Sequence, residues 1–155
     1  VSELIRTTIP VRATPQDIWA VILDPDALQR VLPGAEQLVE SQPGRYEGVL
    51  ATRIGFMTLR ADVTAAFHDA DPPRHLRLEI DGRPRGLAAT FRASIPFDVE
   101  ATDEGSDVSY AVDLTVTGRL AAFGSPILRE TLERQVRELV RNLEAEVANR
   151  GLSGE

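Results

Sequence analysis

The last long stretch of the chain, Ser125 to Asn149 (SPILRETLERQVRELVRNLEAEVAN), sets the severest condition on what the whole can fold into. Leu128, Leu132, Val136, Leu139, Val140, Leu143 and Val147 recur at three- and four-residue intervals, which places them on one stripe of an α-helix. Ser125 is placed to cap the first free amides, and Pro126 suits the first helical position, where no amide hydrogen is needed. Glu130 with Arg134 and Glu133 with Arg137 mark the opposite, solvated face and add small helical support; Arg137 and Arg141 are like-charged. Asn149 and Gly151 offer a stop. About 24 residues at ~1.5 Å each make a rod roughly 36 Å long, as long as a small domain is wide. A stripe of that length must lie across a large apolar surface, which the rest of the chain has to supply.

It supplies that surface mostly as strands. Leu4 to Arg12 reads as a strand with Ile5, Thr7, Ile9 and Val11 on one face. Thr14-Pro15-Gln16-Asp17 then starts a helix, with a capping hydroxyl, a proline at the first position and an acid three residues after the cap. That helix, Pro15 to Leu23, turns Ile18, Trp19, Ile22 and Leu23 inward. Asp24-Pro25 stops it and restarts a second short helix through Leu28, Val31 and Leu32, ended by Pro33-Gly34.

From Gln37 onward the period changes to two. Gln37 to Ser41 is a short strand turned by Pro43-Gly44. Tyr46, Gly48, Leu50, Thr52 and Ile54 form the inner face of the next, broken by Gly55. Leu59, Ala61, Val63, Ala65 and Phe67 follow, then Leu76, Leu78 and Ile80 after the Asp71-Pro72-Pro73 turn. A Gly82-Arg83-Pro84-Arg85-Gly86 tip leads to Phe91, Ala93, Ile95, Phe97 and Val99. Glu104-Gly105 turns to Val108, Tyr110, Val112, Leu114 and Val116, and Gly118 releases the chain towards the long helix. Clean alternation means one buried face per strand, hence an antiparallel, one-sided sheet. The expected class is α+β: a curved seven-stranded antiparallel sheet around the C-terminal helix, with the two short helices between strands one and two.

A chain of 155 residues is one domain, taken as residues 1–150 with a short tail at 151–155, and is long enough for a real core. The net charge of −7 argues against nucleic acid as a partner. With no cysteine, disulfides, thiolate metal sites and cysteine nucleophiles are excluded. No apolar run approaches the ~20 residues of a membrane span and no signal peptide precedes the first strand, so the cytoplasm is the expected location. All 17 basic residues are arginine, which reads as the codon bias of a GC-rich genome.

Several inward, mid-strand positions are small: Gly48, Thr52, Ala61, Ala65 and Ala93. Interiors pack near a density of about 0.75, so space left by small side chains is either closed by approach of the helix or used by a ligand. Both readings stand on spacing alone.

The order of elements resembles the helix-grip fold of the START/Bet v 1-like (SRPBCC) superfamily, and three segments narrow the likeness. Ile9-Pro10-Val11 with Pro15, Ile18 and Trp19, followed by Asp24-Pro25 and Leu32-Pro33-Gly34-Ala35-Glu36, resembles the first fifty residues of the carbon monoxide dehydrogenase CoxG family. Gly118 to Ile127 (GRLAAFGSPI) resembles that family's approach to its last helix. Ile54-Gly55-Phe56-Met57 occupies the place of its hydrophobic-Gly-hydrophobic step between strands. The resemblance covers nearly the whole chain. It implies a non-catalytic carrier of a hydrophobic small molecule, a quinone, serving a molybdenum hydroxylase of the carbon monoxide dehydrogenase type. It implies no cofactor beyond a quinone bound as ligand, and contact with the inner face of the plasma membrane. Two departures are visible. Many members carry a long C-terminal extension with a membrane-binding end, whereas this chain stops at Glu155, and position 35, often cysteine in the family, is Ala35. The pocket is therefore the stronger expectation.

In this fold the helix-end region faces the mouth of the pocket, which makes Leu28, Leu32, Phe56, Met57, Leu120 and Phe123 gate candidates. Trp19, Thr52, Ile54, Ala61, Phe91, Ala93, Ile95, Leu128 and Leu132 complete the expected ligand-binding set. Trp19 on a helical stripe also reads simply as core, and Met57 suits an adaptable apolar surface. The alternative function is an enzyme of the polyketide cyclase or dehydratase kind acting on an apolar ring. Its inward polar residues would be Thr52, Tyr110, Thr131 and Gln135, with no inward His, Asp or Glu for acid–base work. His68 and His75 flank the Asp69–Pro73 turn on the outer face. They read as solvated hairpin residues, the other reading being a weak metal site with Asp69; no metal and no catalytic residue is expected. No serine–histidine pairing and no phosphate loop is in evidence. Arg53, Arg60, Arg77 and Arg92 face outward with Asp62, Glu79 and Glu100 as cross-strand partners, or as a docking stripe. Arg83 and Arg85, held out on the tip, are the better docking candidates.

Overall fold

In the computed structural model, which describes residues 2–153, the alternating segments form one antiparallel sheet of seven strands. In chain order these are β1 (Ser2–Val11), β2 (Ala35–Gln42), β3 (Arg45–Ile54), β4 (Met57–Asp71), β5 (His75–Pro84), β6 (Ala89–Thr102) and β7 (Gly105–Gly118). Between β1 and β2 lie α1 (Pro15–Ile22) and α2 (Pro25–Val31); a 3-10 turn, Arg119–Phe123, leads into α3 (Gly124–Ser153). The spatial order is β1-β7-β6-β5-β4-β3-β2. Strands two to seven are therefore a meander, and the two short helices carry the chain from one edge of the sheet to the other.

Period-two burial shows the single apolar face. Along β7, Ser106, Val108, Tyr110, Val112, Leu114 and Val116 are all buried, and along β4 so are Leu59, Ala61, Val63 and Ala65. The start of α1 forms as its sequence dictates: Thr14 Oγ1 accepts from the Asp17 amide at 3.1 Å. Asp24 repeats the device for α2, its carboxylate accepting from the amides of Asp26 and Ala27. The chain turns between the helices at Leu23, which is 60% exposed and not inward as the stripe predicts. Val21 takes the inner place, fully buried against Ala27 and Val31.

The apolar stripe of α3 is divided among three neighbours. Leu128 is buried among Val112, Leu114 and Leu120, with Leu132 and Val136 packed on that cluster. Val140, Leu143 and Val147 pack on Val11, Ile18 and Val108. Leu139, with Leu143 and Val147, meets Val21, Ala27 and Val31. Polar contacts fasten the second half: Asn142 Nδ2 donates to the Val31 carbonyl at 3.0 Å, and the Arg12 amide donates to Glu144 at 2.7 Å. Arg30 meets Glu146 at 2.6 Å, and Arg150 pairs with Asp24.

Three boundaries differ from the sequence expectation. Helix α3 starts at Gly124, so Ser125 lies in its first turn instead of capping it, and it continues through Asn149 and Gly151 to Ser153. The expected stop falls inside the helix, and so do residues 151–153 of the expected 151–155 tail, the last two of which lie outside the described residues. Arg150, tied to Asp24 and to Glu146, holds the end of the helix in place. At the other loop, Gly82, Arg83 and Pro84 belong to β5, paired with Val63, Asp62 and Ala61. Arg85 is anchored to Asp62 at 2.7 Å rather than held out on a free tip.

Candidate functional site

The concave face of the sheet and α3 do not meet everywhere. Between them lies a cavity of about 310 Å³. Its floor is built by the inward positions of β3 to β7, with Ile9 and Val11 from β1; α1 and α2 close one end with Ile18, Trp19, Leu28 and Leu32; α3 roofs it from Leu128 to Leu143. Alternation explains the chemistry of the floor. Each strand turns its aliphatic set in, and no Asp, Glu, His, Lys or Arg lines the cavity among the described residues.

Most of the expected ligand-binding set is brought together there: Trp19, Leu28, Leu32, Thr52, Ile54, Ala61, Phe91, Ala93, Ile95, Leu120, Leu128 and Leu132 all line it. Trp19 is both core and wall, since it is also buried. Three gate candidates lie elsewhere. Phe56 and Met57 form the outer half of the tight β3–β4 hairpin, where Ile54 pairs with Met57, and that two-residue turn leaves Phe56 wholly exposed and Met57 44% exposed. Phe123 packs on the cluster around Leu120 and Leu128 and faces Gly55 rather than the cavity. Leu38, Pro33 and Pro84 are wall residues that the sequence reading passed over. Leu38 follows a left-handed residue, Gln37, at a bulge in β2, and no periodicity signals that.

The small residues divide by role. Ala61, Ala65 and Ala93 are buried in the wall, Ala93 lying in register between Ile80 and Leu114. Gly48 serves a different need. A Cβ there would meet the Leu38 Cα at 3.0 Å and the Glu36 and Gln37 carbonyls at 3.2 Å, so it admits the close crossing of β2. Gly82 is buried under the ring of Phe91, whose Cζ lies 2.1 Å from where a Cβ would stand.

The polar side chains of the wall are Thr52, Tyr110, Thr131 and Gln135, with the indole of Trp19. Gln135 Nε2 donates to Thr52 Oγ1 at 2.6 Å, and the Thr131 hydroxyl donates to the Ile127 carbonyl at 2.8 Å. Burial pushes the Tyr110 phenol above its ordinary pKa, with the charge of Glu133 adding to the effect, so it stays neutral. Tyr46, beneath α2 and edge-on to Phe67, is pushed up to about 12 by burial and by its bond to Glu40.

Outside the cavity the charged residues are largely paired. His68 faces Glu79 at 3.2 Å and His75 faces Asp98 at 2.9 Å, each histidine with its own carboxylate. No group of three or more His, Cys, Asp or Glu side chains able to hold a metal ion occurs among the described residues. Arg60 pairs with Glu36, Arg77 with Asp69 and Glu79, and Arg92 with Asp81. No helix among the described residues is long and apolar enough to cross a membrane.

Solved structures share this arrangement. A conserved protein from Geobacillus kaustophilus is 20% identical with a TM-score of 0.84, each chain being covered to 97%. A START superfamily protein from Mycobacterium smegmatis is 12% identical with a TM-score of 0.70, covering 94% of this chain and 97% of its own. The Zhui aromatase/cyclase from Streptomyces sp. R1128 is 14% identical with a TM-score of 0.68, covering 97% and 96%. At these identities the likeness speaks for the fold, which is the START-like helix-grip fold. No curated protein matches the chain. The model of the carbon monoxide dehydrogenase CoxG family matches residues 8–148, nearly the full length over which the sheet, the cavity and its helical roof are built, and the chain belongs to that family.

Proposed function

We propose that this protein is a non-catalytic carrier that takes a hydrophobic small molecule, a quinone, into the cavity under α3 and serves a molybdenum hydroxylase of the carbon monoxide dehydrogenase type. The observation that carries this reading is the cavity itself: about 310 Å³ of space whose wall is aliphatic and aromatic apart from a few neutral polar groups. Each 100 Å² of ligand surface removed from water there contributes about 2.5 kcal/mol before the costs of binding. The family supports the partner, whose name it bears. The likeness to an aromatase/cyclase raises an enzymatic reading, but the wall offers that chemistry no carboxylate and no imidazole among the described residues.

Ala93 provides the test, because it lies mid-floor between Ile80 and Leu114 and is 6% exposed. Ala93→Phe puts a ring into the cavity. In a filled core such overpacking costs about 1–3 kcal/mol of stability; in vacant space it costs little and takes the ligand's room instead. The expected outcome is a melting temperature close to the parent's together with lost quenching of Trp19 fluorescence by a short-tailed menaquinone analogue. A parent protein that never binds the analogue, or a variant that binds it as well as the parent, overturns the proposal.

A further inference from the structure

The wall carries one place where a hydrogen-bonding pair interrupts its apolar character. Gln135 stands on the cavity-facing stripe of α3, partly buried and flanked by Leu132, Val136 and Leu139, where a leucine would continue the pattern. Its Nε2 reaches across to Thr52 Oγ1 on β3 at 2.6 Å. A carboxamide offers two N–H donors and an acceptor oxygen with two lone pairs, and a threonine hydroxyl can donate as well as accept. The single bond between them uses one donor of Gln135 and one lone pair of Thr52. The other Gln135 N–H, its oxygen and the Thr52 hydroxyl proton have no partner among the described residues. Thr131, one turn earlier on the same helix, shows the contrast: its hydroxyl is spent on the Ile127 carbonyl, the local bond by which a threonine satisfies itself inside a helix.

We infer that Thr52 and Gln135 form the polar subsite of the cavity, holding a carbonyl oxygen of an otherwise apolar ring ligand. The inference rests on the carrier reading and adds to it the place and sense of the ligand's orientation. Two donors, the Thr52 O–H and the free Gln135 N–H, belong to groups already in contact, so one acceptor oxygen can take both. The carboxamide oxygen beside them accepts from a hydroxyl in the same place. A hydrocarbon of equal shape satisfies none of the three and leaves the pair as it is. The subsite therefore discriminates by what the ring bears, while the aliphatic wall supplies affinity regardless.

The test compares menadione with methylnaphthalene, its ring without the carbonyls, by displacement of anilinonaphthalene sulfonate from parent, Gln135→Met, Thr52→Val and Thr52→Ser proteins. The expected result is that Gln135→Met and Thr52→Val shift the ratio of the two affinities towards the hydrocarbon by about fivefold or more, the range of a lost hydrogen bond. Thr52→Ser, which keeps the hydroxyl, retains the parent's ratio. The near-isosteric Thr52→Val carries the measurement if Gln135→Met fails to fold. An unchanged ratio, whether or not the melting temperature falls, means that the pair only pins helix to strand, and overturns this inference while the carrier reading survives. A parent that binds neither probe overturns both.

Discussion

At position 82 a hydrogen stands where any other residue would place a carbon, and the ring of Phe91 occupies the space so left. The strands are paired there, Gly82 opposite Phe91, so the ring lies across its own partner on the inner face of the sheet. Gly82→Ala brings a methyl to 2.1 Å from Phe91 Cζ and 2.4 Å from Cε1, and the ring has to leave. The room available to it is the cavity. The expected outcome is weaker binding of the menaquinone analogue with a nearly unchanged melting temperature. If the site is filled, overpacking by about 1–3 kcal/mol lowers the melting temperature by several degrees and exposes the error. This division of labour among small residues is the part of the site least legible beforehand. Gly48, Ala61 and Ala93 look alike in an alternating pattern, yet Gly48 admits a crossing strand and the two alanines border open space. What decides is the neighbour contributed by a distant segment, and period-two spacing carries no information about it.

At the scale of the element, α3 was legible in its stripe and illegible at its end. Hydrophobic spacing from Leu128 to Val147 follows from helical geometry alone, and the structure turns that stripe towards the sheet and the short helices as expected, with Leu128 buried and the rest partly buried. The stop at Asn149 and Gly151 rested on local preference, and a tertiary contact overrides it: Arg150 reaches Asp24 at the cap of α2. Glu146 joins the same cluster. Its bond to Arg30 and the nearby Arg150 outweigh burial and hold its carboxylate below the ordinary value of 4.5. Asp24 is likewise lowered; burial opposes this, but hydrogen bonds from Ala27, Arg150 and Asp26 outweigh it. A carboxylate lowered in the fold stabilises it above its unfolded pKa, and that contribution is lost as pH falls through the folded pKa. Acid should therefore loosen the last turns of α3 from α2 below about pH 4.5. Glu146→Gln removes one titrating member, so its melting temperature should fall less steeply than the parent's between pH 5 and pH 3. Parallel curves for the two proteins would show that the cluster contributes nothing to the acid limb.

Taken whole, the molecule is a sheet whose order could be read from the chain because every strand but one follows its neighbour in space. The exception, β1 beside β7, was not legible, since alternation in Ile5, Thr7 and Ile9 does not say which edge they join. The volume enclosed was beyond reach of any single segment, being the difference between two large surfaces. That void has a mechanical meaning. Unfolding abolishes it, so the unfolded chain with its water occupies less total volume, and hydrostatic pressure favours whichever state is smaller. The empty protein should yield to compression sooner than the protein saturated with the menaquinone analogue, beyond what the binding free energy alone accounts for. High-pressure Trp19 fluorescence, comparing the unfolding volume change with and without the analogue, reads this directly; equal volume changes would mean that the space is already occupied by water. On the carrier reading proposed above, the protein is thus softest once its ligand has left.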